Sequence, residues 1–102
     1  MINKRLEFHG ILEDILGSTN VYFQKPSNTG MRYPAILYTL SNINNDYASN
    51  DVYLQNVSYD VTLIDRDPDS VFVKALSTLP KSRFSRFFVS ENLNHFTFTI
   101  YY

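Results

Sequence analysis

Asp51-Val52-Tyr53-Leu54-Gln55-Asn56-Val57-Ser58-Tyr59-Asp60-Val61-Thr62-Leu63-Ile64-Asp65 runs without a glycine or a proline. Val57, Tyr59, Val61 and Leu63 alternate with Ser58, Asp60 and Thr62, the period of two that turns one set of side chains to a core and the other to water. At about 3.3 Å per residue a continuous strand over this stretch reaches about 50 Å, whereas strands commonly hold about 5 to 6 residues. A compact domain of 102 residues is only about 26 Å across, twice an expected radius of gyration of about 13 Å. The N-terminal half, Val52 to Gln55, is therefore expected to leave the body and pair with the end of the preceding strand in an arm.

Upstream, Tyr33 to Leu40 is apolar almost throughout, which predicts a strand buried on both faces with Pro34 at its start. Ser41 to Asn50, with Asn42, Asn44, Asn45, Asp46, Ser49 and Asn50, predicts a long exposed loop or hairpin tip. Lys25 to Arg32 is a loop by its Pro26, Ser27, Asn28 and Gly30. Before it, Val21 and Phe23 share one side of a short strand and Tyr22 the other. The first element is a helix, because Phe8, Ile11, Leu12, Ile15 and Leu16 form one stripe of a 3.6-residue period. Asn3 is its expected N-cap and Gly17 its stop, and Gly10 inside it costs about 1 kcal/mol relative to alanine.

Downstream, Asp67 as N-cap, Pro68 at the first helical position and Asp69 in the first turn predict a second helix, favoured by free amide donors and the positive end of the helix dipole. Phe72, Ala75, Leu76 and Leu79 are its buried stripe and Pro80 its end. A hairpin follows: Arg83 to Val89, a turn at Ser90-Glu91-Asn92, then Leu93 to Tyr102 with Phe96, Phe98, Ile100 and Tyr102 on one face and His95, Thr97, Thr99 and Tyr101 on the other. The fold expected is α+β, an antiparallel sheet with two helices packed on one face and a protruding long β-hairpin, in the order α-β-β-β-α-β-β. Residues 1–102 form a single domain.

Composition narrows the function. Hydrophobic residues make 44% and charged ones 19%, the balance of a folded domain, and eight Phe and eight Tyr raise the aromatic share to 16% without a tryptophan. With no cysteine, disulfide scaffolds, zinc-thiolate sites and thiol nucleophiles are excluded, which fits a reducing cytosol. The net charge of −1 lacks the basic excess of a phosphate-backbone binder. No apolar run approaches the ~20 residues of a membrane span, and Glu7, His9, Glu13 and Asp14 break any secretory signal, so a soluble protein without membrane contact is expected. Asn56-Val57-Ser58 is a chance glycosylation sequon within a strand.

Candidate chemistry is thin. Asp65, Asp67 and Asp69 match the first acidic positions of a calcium loop, but Ser70 and Leu76 stand where that loop needs Gly and a bidentate Glu, so capping is the better reading. His9 and His95 lie on different elements. Glu13 and Asp14 are helix neighbours that point apart, and three glycines leave no phosphate-cradling loop. No catalytic residue, metal or cofactor is expected. Arg83 to Val89 with Phe96 and Phe98 resembles an aromatic sheet face for stacking bases, but lacks the glycines and the basic setting of an RNA reader. Tyr22, Tyr53 and Tyr101 on wet strand faces, together with an arm the domain cannot bury, point to a subunit of an assembly.

The run Val61 to Ser70, then Leu79-Pro80, Arg86-Phe87, Glu91-Asn92-Leu93-Asn94-His95 and the ending Ile100-Tyr101-Tyr102, resembles the small tail-terminator (tail-completion) proteins of long-tailed bacteriophages. Phe8-His9-Gly10-Ile11-Leu12, Asn20-Val21-Tyr22-Phe23-Gln24 and Tyr33-Pro34-Ala35-Ile36 fit the same pattern, so the resemblance spans nearly the whole chain. It implies an α+β virion protein of the neck-proximal end of the tail, assembled in the host cytoplasm. It further implies a ring, usually a hexamer, that caps the tail tube, ends its polymerisation and joins it to a head-tail connector or stopper protein, with DNA passing through unbound. The partners implied are further copies of the chain, the tail-tube protein and the connector. In such a ring, the arm Asn42 to Val52 meets a neighbour, and Asn44, Asn45, Asp46, Tyr47, Val52, Tyr53 and Tyr101 are the expected interface, with Asp67, Pro68 and Asp69 a structural cap. The alternative is a small protein-binding or nucleic-acid-binding adaptor domain that uses an aromatic sheet face.

Overall fold

The computed structural model describes the backbone of residues 2–24, 31–48 and 51–102, and the side chains of these apart from 2–3 and 44–55. The chain is α+β: α1 (Ile2–Leu16), β1 (Val21–Phe23), β2 (Ala35–Ala48), β3 (Asp51–Asp65), α2 (Phe72–Ser77), β4 (Ser82–Ser90) and β5 (Leu93–Tyr101). The five strands form one sheet in the order β1-β2-β3-β5-β4.

The sheet is mixed rather than antiparallel throughout. β1 runs parallel to β2, with Val21 opposite Ile36 and Phe23 opposite Tyr38, while the other neighbours are antiparallel. The expected loop at Lys25 to Arg32 lies mostly outside the described residues.

Alternation decides the two faces. Ile36 and Tyr38 of β2, Tyr59, Val61 and Leu63 of β3, and Phe96, Phe98 and Ile100 of β5 share one face, and Phe8, Leu12 and Leu16 of α1 with Leu76 of α2 close over it in a single cluster. Each such side chain contributes about 1.5–3 kcal/mol through removal from water. Phe8 anchors the helix to the sheet by stacking on Tyr59 (5.0 Å between centroids) and on Tyr102 (5.2 Å), with its edge toward Tyr38. α1 begins at Ile2, so Asn3 lies within the helix rather than capping it. It ends as expected: Gly17 has φ +73° and donates its N–H to the Glu13 carbonyl at 2.8 Å, the left-handed terminus that glycine adopts without a Cβ penalty.

The second helix is shorter than expected. It starts at Phe72 with Val71 at its N-cap position and no side-chain cap, so Asp67, Pro68 and Asp69 do not cap it. The acidic residues instead fold the connection: Asp65 Oδ1 accepts from the Asp67 N–H at 3.1 Å, and Asp67 Oδ1 accepts from the Asp69 N–H at 2.9 Å. Local side-chain acceptors compete with the helix for these amides, and successive Asx turns move its N-cap position from Asp67 to Val71.

β2 is longer than the apolar pattern shows. The polar stretch after Leu40, expected as a long exposed loop or hairpin tip, continues the strand to Ala48 and pairs with β3 down to Ala48 opposite Asp51. β3 loses its β5 neighbour beyond Ser58, which lies opposite Tyr101, and Tyr102 donates its N–H to the Val57 carbonyl at 3.0 Å as the last rung. From Ile43–Val57 to Ala48–Asp51 the β2–β3 ladder therefore has no third strand alongside among the described residues. The molecule measures 51 × 23 × 22 Å.

Candidate interaction surfaces

Three features outside the core have the geometry to act: the two-stranded part of β2–β3, the free edge at β4, and two hollows that share Lys81 and Tyr101.

The two-stranded part holds Asn44, Asn45, Asp46 and Tyr47 on β2 and Val52 and Tyr53 on β3. Asp46 lies opposite Leu54 and Tyr47 opposite Val52, with a register shift between them and another between Leu40 and Asn42. Irregularities of this kind increase local twist. The side chains of these six expected interface residues lie outside the described residues. At its base Ile43 is exposed.

Among the described residues β4 pairs only with β5, so its other side is a free sheet edge there. Its side chains are exposed on both faces: Phe84 (50%) and Phe87 (46%) continue the core face beside Phe98 and Phe96, and Phe88 (37%) lies on the opposite face, stacked on His95 at 4.5 Å. The C-terminal hairpin forms as expected, with Phe96, Phe98 and Ile100 of β5 buried, whereas the side chains of β4 beyond Ser82 are exposed at the edge of the sheet. Arg86 extends over the Phe88 ring at 5.1 Å. A register shift between Phe84 and Arg86 adds a bulge. Bulge and arginines together blunt the edge against strand addition.

At the base of this edge lie two adjoining hollows. One, of about 330 Å³, is lined by Phe8, Ile11, Leu79, Pro80, Ile100 and Tyr102, with Lys81 and Tyr101 at its border. The second, of about 390 Å³, shares Lys81 and Tyr101 and adds Ser82, Arg83 and Thr99. The apolar recess lies on the helix-covered face of the sheet and the hydroxyl-rich, doubly cationic one on the opposite face, and the two share Lys81 and Tyr101, which is 41% exposed. Tyr101 is the one expected interface residue whose side chain the structure locates. Lys81 is held there by φ +59°, and its carbonyl accepts from the Tyr101 N–H at 3.2 Å. The Ser82 hydroxyl is buried without a hydrogen-bond partner.

A polar cluster between α1 and β2 looks at first like a relay. Glu13 Oε2 lies 3.5 Å from His9 Nε2, His9 Nδ1 lies 2.7 Å from the Tyr38 hydroxyl, and Arg5 donates to that hydroxyl at 3.2 Å. Tyr38 is fully buried, so no substrate reaches its oxygen, and the cluster serves as a clasp. Burial pushes the Tyr38 hydroxyl above the ordinary value of 10.0, opposed by the hydrogen bond and charge of Arg5, and burial likewise raises Tyr59. Among the described residues, no three His, Cys, Asp or Glu side chains gather around a point that would hold a cation, and no helix is long and apolar enough to cross a membrane.

Lys81 belongs to no motif and Arg83 only to the aromatic segment Arg83 to Val89, but a charge map carries a signal for both. Between Arg32 and Arg66 the chain has no Lys or Arg and carries Asp46, Asp51, Asp60 and Asp65; between Asp69 and Glu91 it has no Asp or Glu and carries Lys74, Lys81, Arg83 and Arg86. A net charge of −1 conceals an acidic hairpin and a basic edge. No family model, curated protein or solved structure matches this chain.

Proposed function

We propose that the chain is a structural subunit of the tail-terminator type: a ring-forming virion protein that caps a phage tail tube, ends its growth and joins it to the head connector. The observation that carries the reading is the two-stranded continuation of β2–β3 past the last β5 rung. It is a protruding arm, because a two-stranded ribbon is marginal alone in water and gains stability by lying on another surface. Mixed apolar and polar exposure at β4 and at Tyr101 supplies further area for neighbours. The rotation of a ring makes each contact heterologous, one surface of a protomer against a different surface of the next, and closes the set.

Labelling tests it. Antibody against the chain, gold-tagged and viewed by electron microscopy on the particle that encodes it, should mark the junction of head and tail; label elsewhere, or none, overturns the proposal. The arm is tested by replacing residues 44–56 with Asn-Gly, which removes both paired strands together and rejoins Ile43 to Val57. Particles carrying that change should lack the ring and have tails of uncontrolled length. Intact tails would remove the arm from the account.

A second reading rests on Arg86 over the Phe88 ring and the exposed Phe84 and Phe87: a stacking face for single-stranded nucleic acid. It predicts binding at low salt that falls steeply as salt rises. An oligonucleotide that fails to bind at low salt removes it.

A further inference from the structure

We propose that the hollow between Lys81 and Arg83 is the seat for the tip of the β2–β3 hairpin of a second copy of this chain. The inference rests on the proposed assembly and names the surface on which the arm lies.

Charge complementarity selects the occupant. The hairpin carries Asp46 and Asp51 and no cation, while the hollow carries Lys81 and Arg83 against one neighbouring acid, Asp60, whose carboxylate accepts from the Thr99 hydroxyl at 3.4 Å. In sequence the hairpin acids adjoin apolar or aromatic residues, as Asp46-Tyr47 and Asp51-Val52-Tyr53. The seat has the same composite character, an apolar recess sharing its border with a cationic one. A ring beside Tyr102 with a carboxylate at Lys81, which borders both hollows, satisfies both halves at once.

Distance makes the contact intermolecular. The hollow is at Tyr101, opposite Ser58, and Asp51 lies seven residues farther along the same strand, about 23 Å away at about 3.3 Å per residue. The hairpin tip cannot return to its own hollow while the ladder is intact. Tip and seat are different surfaces, so their union is head-to-tail and propagates to a ring or filament. Strand addition to β4 is a poorer alternative because of its bulge and arginines.

Charge reversal on each side provides the test, read as mass by sedimentation at low salt and the highest attainable concentration. Asp46→Lys with Asp51→Lys, or Lys81→Glu with Arg83→Glu, should each weaken association at least tenfold, toward the 11.9 kDa monomer. Mixing the two variants should restore association, since the reversed hairpin of one then fits the reversed seat of the other; restoration also shows that both are folded. A parent chain that stays monomeric overturns the contact, as does association that neither reversal weakens or that mixing fails to restore. The gold label on the particle decides the assembly reading separately.

Discussion

The Tyr38 hydroxyl lies 2.7 Å from His9 Nδ1 while accepting a hydrogen bond from Arg5. With Arg5 donating into the oxygen, the hydroxyl proton is free to go to Nδ1, which leaves the imidazole proton on Nε2, toward Glu13. One buried oxygen thus orients two residues of α1 and pins the helix to β2.

Removing that oxygen should loosen the clasp. Tyr38→Phe keeps the ring against Phe8 and Phe23 but strands the partners on α1, and is expected to cost about 1–2 kcal/mol in urea unfolding. His9→Ala should cost less than the tyrosine change, since His9 is only half-buried.

Alkaline pH acts on the same oxygen. Burial raises the folded-state pKa of Tyr38 and Tyr59 above 10.0, so above that value the folded chain keeps protons that the unfolded chain releases. Their contribution is complete below the unfolded value and is lost as pH rises through the higher folded one. Unfolding midpoints measured between about pH 9 and 11 should fall, and Tyr38→Phe or Tyr59→Phe should each flatten the fall.

The core is expected to be unforgiving. Leu12 and Phe98 are fully buried, and Leu12→Ala or Phe98→Ala should cost about 3–5 kcal/mol in the same measurement. Phe84→Ala and Phe87→Ala, on the half-exposed edge, should cost far less.

Left-handed residues offer changes in the other direction. Glu91 and Asn92 have φ +54° and +63° in the two-residue turn between β4 and β5, the geometry that favours Asn-Gly. Glu91→Asn with Asn92→Gly should raise stability by about 0.5–1 kcal/mol.

Lys81, at φ +59°, separates stability from assembly. Lys81→Gly relieves a backbone cost of about 1 kcal/mol and should raise the thermal midpoint, yet it should weaken association in sedimentation.

Alternation made β3 legible from Val57 to Leu63, and a helical stripe made α1 legible from Phe8 to Leu16, because each turns one face to the core. Asn42 to Ala48 was illegible as strand because its pairing with β3 rests on backbone hydrogen bonds that polar residue types do not advertise. Asp67 misled because an Asx turn and an N-cap use the same side chain for the same kind of amide. The seat at Lys81, Arg83 and Tyr101 joins residues from two strands and a turn, and only the distribution of charge along the chain hints at it.

The rung from Tyr102 to Val57 and the pairing of Ser58 with Tyr101 fasten the base of the hairpin to the strand at the centre of the core. Hydrogen bonds of an antiparallel ladder stand perpendicular to the strands. A pull along the hairpin therefore loads all of them together in shear instead of opening them one at a time, and β3 carries the tension past Val61 and Leu63 into the body. The hairpin is built as a tie rod, able to bear mechanical load along its length without peeling away from its own domain.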